Sequence, residues 1–116
     1  MADLTFTARR DGPVGVLTLI GEARIEHVDA WRKAGIDLRT AGAKHLLIDV
    51  RALIFADSAS MGALIHLQNG YKEAKGRVIL VGPRERLRKM ISAMGLSGHI
   101  HVAADEVMAR AELIRP

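Results

Sequence analysis

The sequence predicts one α/β domain built on a small mixed β-sheet. Three observations lead to this fold class. The 116 residues suit a single domain. Hydrophobic residues make up 49% of the chain, which is enough to bury one core without cysteine cross-links. Strand-like and helix-like segments alternate in the order β-β-α-β-α-β-α-β-α, which favours a hairpin followed by a parallel body.

The chain opens with the pattern of a β-hairpin. Residues 4–7 alternate apolar and polar side chains, which is the period of a half-buried strand. Turn-forming residues follow at 10–13, and the apolar run at 14–20 is typical of a second strand antiparallel to the first. Gly21 is expected to end this second strand.

A helix is predicted over residues 26–41, followed by a buried strand. One helical face carries Val28, Trp31, Gly35 and Leu38. Gly42 stands where a helix commonly ends. Residues 45–50 are largely apolar before Asp49, as in a strand covered on both faces. Residues 53–55 are either a short extension of that strand or an apolar loop.

The second half of the chain continues the alternation. A helix is predicted over residues 59–74, with an inward stripe at Met61, Leu64, Ile65 and Tyr71. Residues 77–81 have the pattern of another buried strand. Pro83 is expected to open a helix that Gly95 closes, because proline suits a helix start and glycine a helix end. Its apolar stripe is Leu87, Met90, Ile91 and Met94.

The chain ends with a weak strand at residues 99–102 and a helix at residues 105–114. Asp105 near the start of this helix and Arg115 near its end have the signs that the helix dipole favours. The apolar residues on one face of the helix are Val107, Met108, Ala111 and Ile114.

Composition narrows the classes of function. The absence of cysteine excludes a disulfide scaffold, a thiolate zinc site and a cysteine nucleophile. No apolar run reaches the roughly 18 residues that a membrane span needs. The first residues do not resemble a signal peptide, so the expected location is the cytoplasm, with no membrane span.

The chain is basic, with a formal net charge of +4 and a pI near 10.0. This charge permits contact with nucleic acid or acidic lipid. Aromatic residues amount to only 3%, which argues against a base-stacking surface, so no direct nucleic-acid binding is expected. For the basic cluster at Arg84, Arg86, Arg88 and Lys89, a solvated helix face is expected and a polyanion site is the alternative.

Catalytic and metal-binding motifs are scarce. Gly82 and Pro83 lack the spacing of a phosphate-binding loop. His99 and His101 share one face of a predicted strand, but no acidic or cysteine partner lies close in sequence. Ser58 lacks the G-x-S-x-G elbow of hydrolases. We therefore expect no enzyme activity, no cofactor and no metal.

The segment at residues 55–62, FADSASMG, joins a strand region to a helix. Asp57 or Ser58 can cap this helix by accepting hydrogen bonds from its unpaired first-turn N–H groups. The same location also suits a phosphorylated serine, because a phosphate meets free N–H groups and the positive end of the helix dipole there.

Residues 57–62 resemble the Asp-Ser-Ser/Thr-Gly-Leu-Gly motif of the STAS family, the sulphate-transporter and anti-sigma-factor-antagonist domain. The resemblance covers nearly the whole chain. It includes the opening strand pair, Gly21 with Glu22, the strand that ends at Asp49, and the breaks at Gly82 and Gly95. It implies a small sheet with helices largely on one side.

The resemblance implies a stand-alone anti-sigma factor antagonist, phosphorylated on the serine after the aspartate, which is Ser58 here. Unphosphorylated, it would bind an anti-sigma factor serine kinase and so release a sigma factor. The kinase would end the contact by phosphorylating it, and a phosphoserine phosphatase would restore it. The implied contact residues are Asp57, Ser58, Ala59, Ser60, Met61 and Arg24; Met61 is alternatively a core residue. The expected state is a monomer or weak dimer.

Three positions depart from the family pattern. Ala59 replaces a second hydroxyl residue, which leaves Ser58 and Ser60 as candidates for phosphorylation and favours Ser58. Ser60 stands where the family usually has glycine. Arg24 stands where typical antagonists carry an acidic residue near the kinase-facing surface. This arginine indicates altered kinase recognition or a partner of opposite charge.

Two other functions fit the same resemblance. The first is a non-switching STAS subunit of a transport or signalling complex, in which Asp57 and Ser58 only cap the helix. The second is a small-ligand-binding domain, with the helix that contains residues 84–89 as its anion-facing surface.

Overall fold

The computed structural model describes residues 3–114 as five strands and four helices. The strands are β1 (Thr5–Asp11), β2 (Val14–Ala23), β3 (His45–Ala56), β4 (Val78–Val81) and β5 (His101–Ala103). The helices are α1 (Val28–Thr40), α2 (Ser58–Glu73), α3 (Glu85–Ala93) and α4 (Glu106–Ile114), and a 3₁₀ turn at Ile25–His27 precedes α1.

The strands form one sheet in the order β1-β2-β3-β4-β5. β1 and β2 pair antiparallel as a hairpin, whereas β2, β3, β4 and β5 are all parallel. A helix connects each parallel strand to the next, as parallel pairing requires. The predicted fold class and element order are confirmed.

Three of the helices cover one face of the sheet. Residues that alternate along the central strands, such as Leu46 and Ile48, belong to the same larger core cluster as Trp31 of α1, Tyr71 of α2 and Leu87 of α3. The intervening residues form a smaller cluster with α4 on the opposite face. The helices thus lie largely on one face, as expected, and α4 is the exception.

The face of α4 that packs on the sheet is not the apolar face that the sequence singles out. Val107, Met108 and Ile114 are 78%, 56% and 81% exposed, whereas Ala109 is fully buried. The small side chain of Ala109 lets the helix approach the sheet closely. Arg110 also holds this orientation, since it pairs with Asp11 of β1 at 3.0 Å.

Strands β2 and β3 are both longer than predicted. Gly21 does not end β2, because the strand passes through an irregular register there and continues to Ala23. Gly21 has φ +105°, a conformation that glycine adopts without strain. Residues 53–55 are an extension of β3 rather than a loop. The two strands consequently remain paired as far as Ala23 and Ala56.

Smaller differences concern the ends of elements and two stripe residues. α3 begins two residues after Pro83, with Arg84 in extended conformation at its N-cap. Met94 follows the last residue of α3 and is 44% exposed, and Ile65 is only partly buried. The final strand is shifted to residues 101–103.

No helix within residues 3–114 is both long and apolar enough to cross a membrane.

Two helices end at a glycine, as the sequence predicts, and a third ends at a lysine. Gly42 and Gly95 have positive φ after α1 and α3. After α2 the residue with positive φ is Lys75, at +68°. Its N–H and that of Gly76 donate to the Lys72 and Tyr71 carbonyls, which closes the helix. A lysine therefore occupies a backbone position that favours glycine.

Lys75→Gly is expected to raise the free energy of unfolding by about 0.5–1 kcal/mol, because glycine relieves the left-handed conformation. The measurement is urea unfolding. Lys72→Gly, the same exchange inside α2, should lower it by about 0.5–1 kcal/mol. A loss of stability in Lys75→Gly would contradict the interpretation of this helix end.

Candidate functional site

The candidate site lies where β2 and β3 end and α2 begins. Because these strands are parallel, their carboxyl ends meet at one edge of the sheet. β3 passes directly into α2 through Asp57, whose backbone is extended with φ −81° and ψ 177°. The end of β2 and the segment at residues 57–61 are therefore neighbours.

Asp57 joins the two chain segments through three hydrogen bonds. Its Oδ1 accepts from the Ser60 backbone N–H at 2.9 Å, which caps α2. Its Oδ2 accepts from the Ile25 N–H at 2.8 Å, and its own N–H donates to the Ala23 carbonyl at 3.0 Å. Of the two capping residues that the sequence allows, Asp57 performs this role.

The Asp57 carboxyl is held in its charged form. Partial burial by itself would raise its pKa. The N–H groups of Ser60 and Ile25 and the nearby Arg24 guanidinium outweigh that effect, so its pKa lies below the usual 3.8. A permanent negative charge at the start of α2 also suits the helix dipole.

Ser58 is the first residue of α2, and its side chain is exposed. Since Asp57 already caps the helix, the Ser58 hydroxyl is not needed for this purpose. Ala59 beside it is partly buried against the core. The arrangement presents one accessible hydroxyl at the positive end of a 16-residue helix.

Ser60 and Met61 do not belong to the accessible surface. They are 1% and 0% exposed, so neither can contact a partner in this conformation, and Met61 is a core residue. Both residues face inward because the first turn of α2 packs on the sheet. Of the two candidate serines, only Ser58 is accessible.

Arg24 lies at the end of β2, beside this serine segment. Its guanidinium pairs with Glu22 at 2.8 Å and lies over the Phe55 ring, 4.6 Å from the ring centroid. Arg86 of α3 lies over the same ring at 5.1 Å. Arg24, Phe55 and Arg86 therefore form one group, which we call the arginine–phenylalanine stack. Long-range packing brings Phe55 and Arg86 together, and no local sequence pattern signals this contact.

Two other polar residues that the sequence singles out, Asp49 and His101, have structural partners. Asp49 is buried, and both of its oxygens accept from the Arg51 guanidinium, at 3.0 and 2.8 Å. This pairing lowers the pKa of Asp49 despite burial. His101 contacts Glu112, and within residues 3–114 no three His, Cys, Asp or Glu side chains form a group that could hold a metal.

Comparisons with known proteins identify the family and the fold. The family model of the STAS domain matches residues 5–109. No curated protein sequence matches the chain. The solved structure of a putative anti-sigma factor antagonist from Thermotoga maritima superimposes with a TM-score of 0.87 at 21% identity, covering 95% of each chain.

Three further solved structures share the fold. SpoIIAA, an anti-sigma factor antagonist in its unphosphorylated form, has a TM-score of 0.79 at 23% identity, covering 97% of this chain and all of its own. Phosphorylated SpoIIAA from Bacillus has a TM-score of 0.74 at 21% identity, covering 93% and 99%. In the murine anion transporter Slc26a9, 18% of that chain matches 90% of this one, at 18% identity and a TM-score of 0.75.

Asp57→Ala is expected to lower the free energy of unfolding by about 1–2 kcal/mol at neutral pH, because it removes the acceptor for two backbone N–H groups. The folded pKa of Asp57 is lowered. Its contribution should therefore be complete above the usual value of 3.8 and disappear as the pH falls through the lower folded value.

Urea unfolding of wild type and variant, at neutral pH and at pH values falling below 3.8, measures the loss of stability and its pH dependence. Asp29→Ala is the control, since the Asp29 side chain is 95% exposed and forms a surface ion pair with Arg32. It should change stability by less than about 0.5 kcal/mol. Equal effects of the two substitutions would contradict the role of Asp57.

Proposed function

The chain belongs to the STAS domain family, and from this premise we propose that it is an anti-sigma factor antagonist switched by phosphorylation of Ser58. The observation that carries the proposal is the separation of roles between adjacent residues. Asp57 caps α2 and ties it to β2, whereas Ser58 is exposed and makes no such bond. A modification of the hydroxyl would leave the capping bonds intact.

Phosphate on Ser58 adds about −1.5 to −2 of charge and three strong acceptor oxygens. The first-turn N–H groups and dipole of α2 offset this charge within the folded chain. A partner that covers Ser58 would instead have to desolvate it, at a cost of several kcal/mol. Each 1.4 kcal/mol changes affinity tenfold, so one phosphate is sufficient to end the contact.

The proposal assigns two protein partners to this chain. One is an anti-sigma factor serine kinase, which binds the unphosphorylated form and then modifies it with its own ATP. The other is a phosphoserine phosphatase, which resets the switch. The chain is then a ligand and substrate in the cytoplasm rather than an enzyme. That the related SpoIIAA has been solved in phosphorylated and unphosphorylated forms supports this proposal.

A non-switching subunit of a transport or signalling complex is the second candidate. The exposed apolar face of α4 favours it, because Val107, Met108 and Ile114 would suit a permanent contact. The match to part of a much longer anion transporter is consistent with such a module. In this case Ser58 is an exposed residue without a switching role.

Ser58→Asp is expected to weaken binding to the kinase partner at least tenfold, whereas Ser58→Ala retains binding. Only the first substitution adds negative charge to the surface that the partner would cover. Wild type and both variants would be used in parallel as baits in lysate of the native organism. Bound proteins would be identified by mass spectrometry, and the endogenous protein examined for phosphoserine at Ser58.

Ser97→Asp is the matched control, since Ser97 is also exposed but lies in the loop after α3. It should bind like wild type. Transport or scaffold subunits held equally by all baits, with no phosphate on Ser58, would contradict the switch and favour the second candidate.

A further inference from the structure

Three arginines near the start of α3 have no carboxylate partner within residues 3–114. Arg84, Arg86 and Arg88 are all exposed. The side chains of Arg84 and Arg88 donate only to backbone carbonyls, of Arg51 and Pro83. The positive end of the helix dipole lies here too, so cations at these positions are locally unfavourable. The carboxylates among the described residues do not pair with this charge.

Arg86 places one of these positive charges near the candidate site, where β3 ends and α2 begins. Its guanidinium lies over Phe55, which is two residues before the cap Asp57. Arg24 lies over the same ring, but Glu22 already balances its charge. The ring restricts both arginine side chains, so less conformational entropy is lost when they bind a ligand. Arg86 is therefore a restrained cation without a counter-charge in the described part of the chain.

We infer that the arginine–phenylalanine stack is the docking surface for an acidic segment of the protein partner, with Arg86 as its principal carboxylate-binding residue. This inference deepens the proposed function and rests on it, because the segment would belong to the partner that Ser58 controls. Guanidinium groups present two parallel donors that match a carboxylate. Charge complementarity of this kind also speeds association.

The same surface explains how a phosphate on Ser58 acts against binding. The phosphate would add about −1.5 to −2 of charge to the first turn of α2, three residues after the Phe55 ring that holds the two guanidinium groups. It would therefore compete for them in addition to resisting desolvation. In this arrangement the switch changes a positive docking surface into a neutral or negative one.

The chemistry of the surface favours a protein carboxylate over nucleic acid. Single-stranded nucleic acid binds through aromatic rings on which bases stack. Phe55 already carries two guanidinium groups, and the chain is only 3% aromatic. Binding of nucleic acid is accordingly one of the outcomes that the test must exclude.

The experiment is a titration of the ¹⁵N-labelled protein with an acetylated hexaglutamate amide at low salt, followed by amide chemical shifts. The largest shifts are expected at Arg24, Phe55, Ser58 and Arg86. Arg86→Glu should weaken binding roughly fivefold or more, as expected for reversal of a close charge. Largest shifts elsewhere would overturn the inference.

Arg88→Glu is the matched control, because it makes the same charge change two residues away on the opposite side of α3. It should weaken binding less than twofold. Equal weakening by both substitutions would show that the peptide responds to diffuse charge and would overturn the inference. Tighter binding of an oligothymidylate of equal charge at the same residues would also overturn it.

Failure of the proposed function can be distinguished from failure of this inference. The peptide titration needs neither a kinase nor phosphate on Ser58. If the peptide binds at Arg86 but no lysate partner distinguishes Ser58→Asp from Ser58→Ala, only the switch is contradicted. If a switchable partner is found and its Kd is unchanged by Arg86→Glu, only the docking surface is contradicted.

Discussion

The hydrogen bonds of the Asp57 carboxylate hold the site together. One oxygen caps α2 and the other accepts from Ile25, so a single side chain fixes both the helix start and the segment after β2. The Asp57 N–H continues the β2–β3 pairing by donating to Ala23. The exposure of Ser58 and the position of Arg24 beside it both depend on this junction. A site of this kind is positioned by regular elements rather than by a flexible loop.

Local patterns were sufficient to predict the order of elements and most of the core. Trp31, Leu38 and Tyr71 are buried as their helical spacing indicates. The family resemblance favoured Ser58, whereas the local pattern left open whether Asp57 or Ser58 caps α2. These features depend on residues within a few positions of one another in the sequence, and this is the distance over which helix and strand propensities and hydrophobic periodicity act.

Features that depend on long-range packing could not be predicted in this way. The four apolar residues of α4 share a face, yet the small Ala109 decides which side approaches the sheet. Met61 lies within the motif at residues 57–62 but turns into the core with the first turn of α2. Phe55 and Arg86 are 31 positions apart, and they meet only because β3 extends to Ala56 and α3 begins above its end.

The division of the core between two faces of the sheet has a consequence for local unfolding. The large cluster unites three helices, whereas within residues 3–114 the apolar residues by which α4 covers its own face are Ala109 and Leu113. The exposed ion pairs that it makes with β1 add little stability. α4 is therefore expected to open independently, with amides that exchange hydrogen faster than those of α1 and α2. Each opening would uncover Val16, Leu47 and Ile79, a flat apolar surface on which a second chain could pair or aggregate.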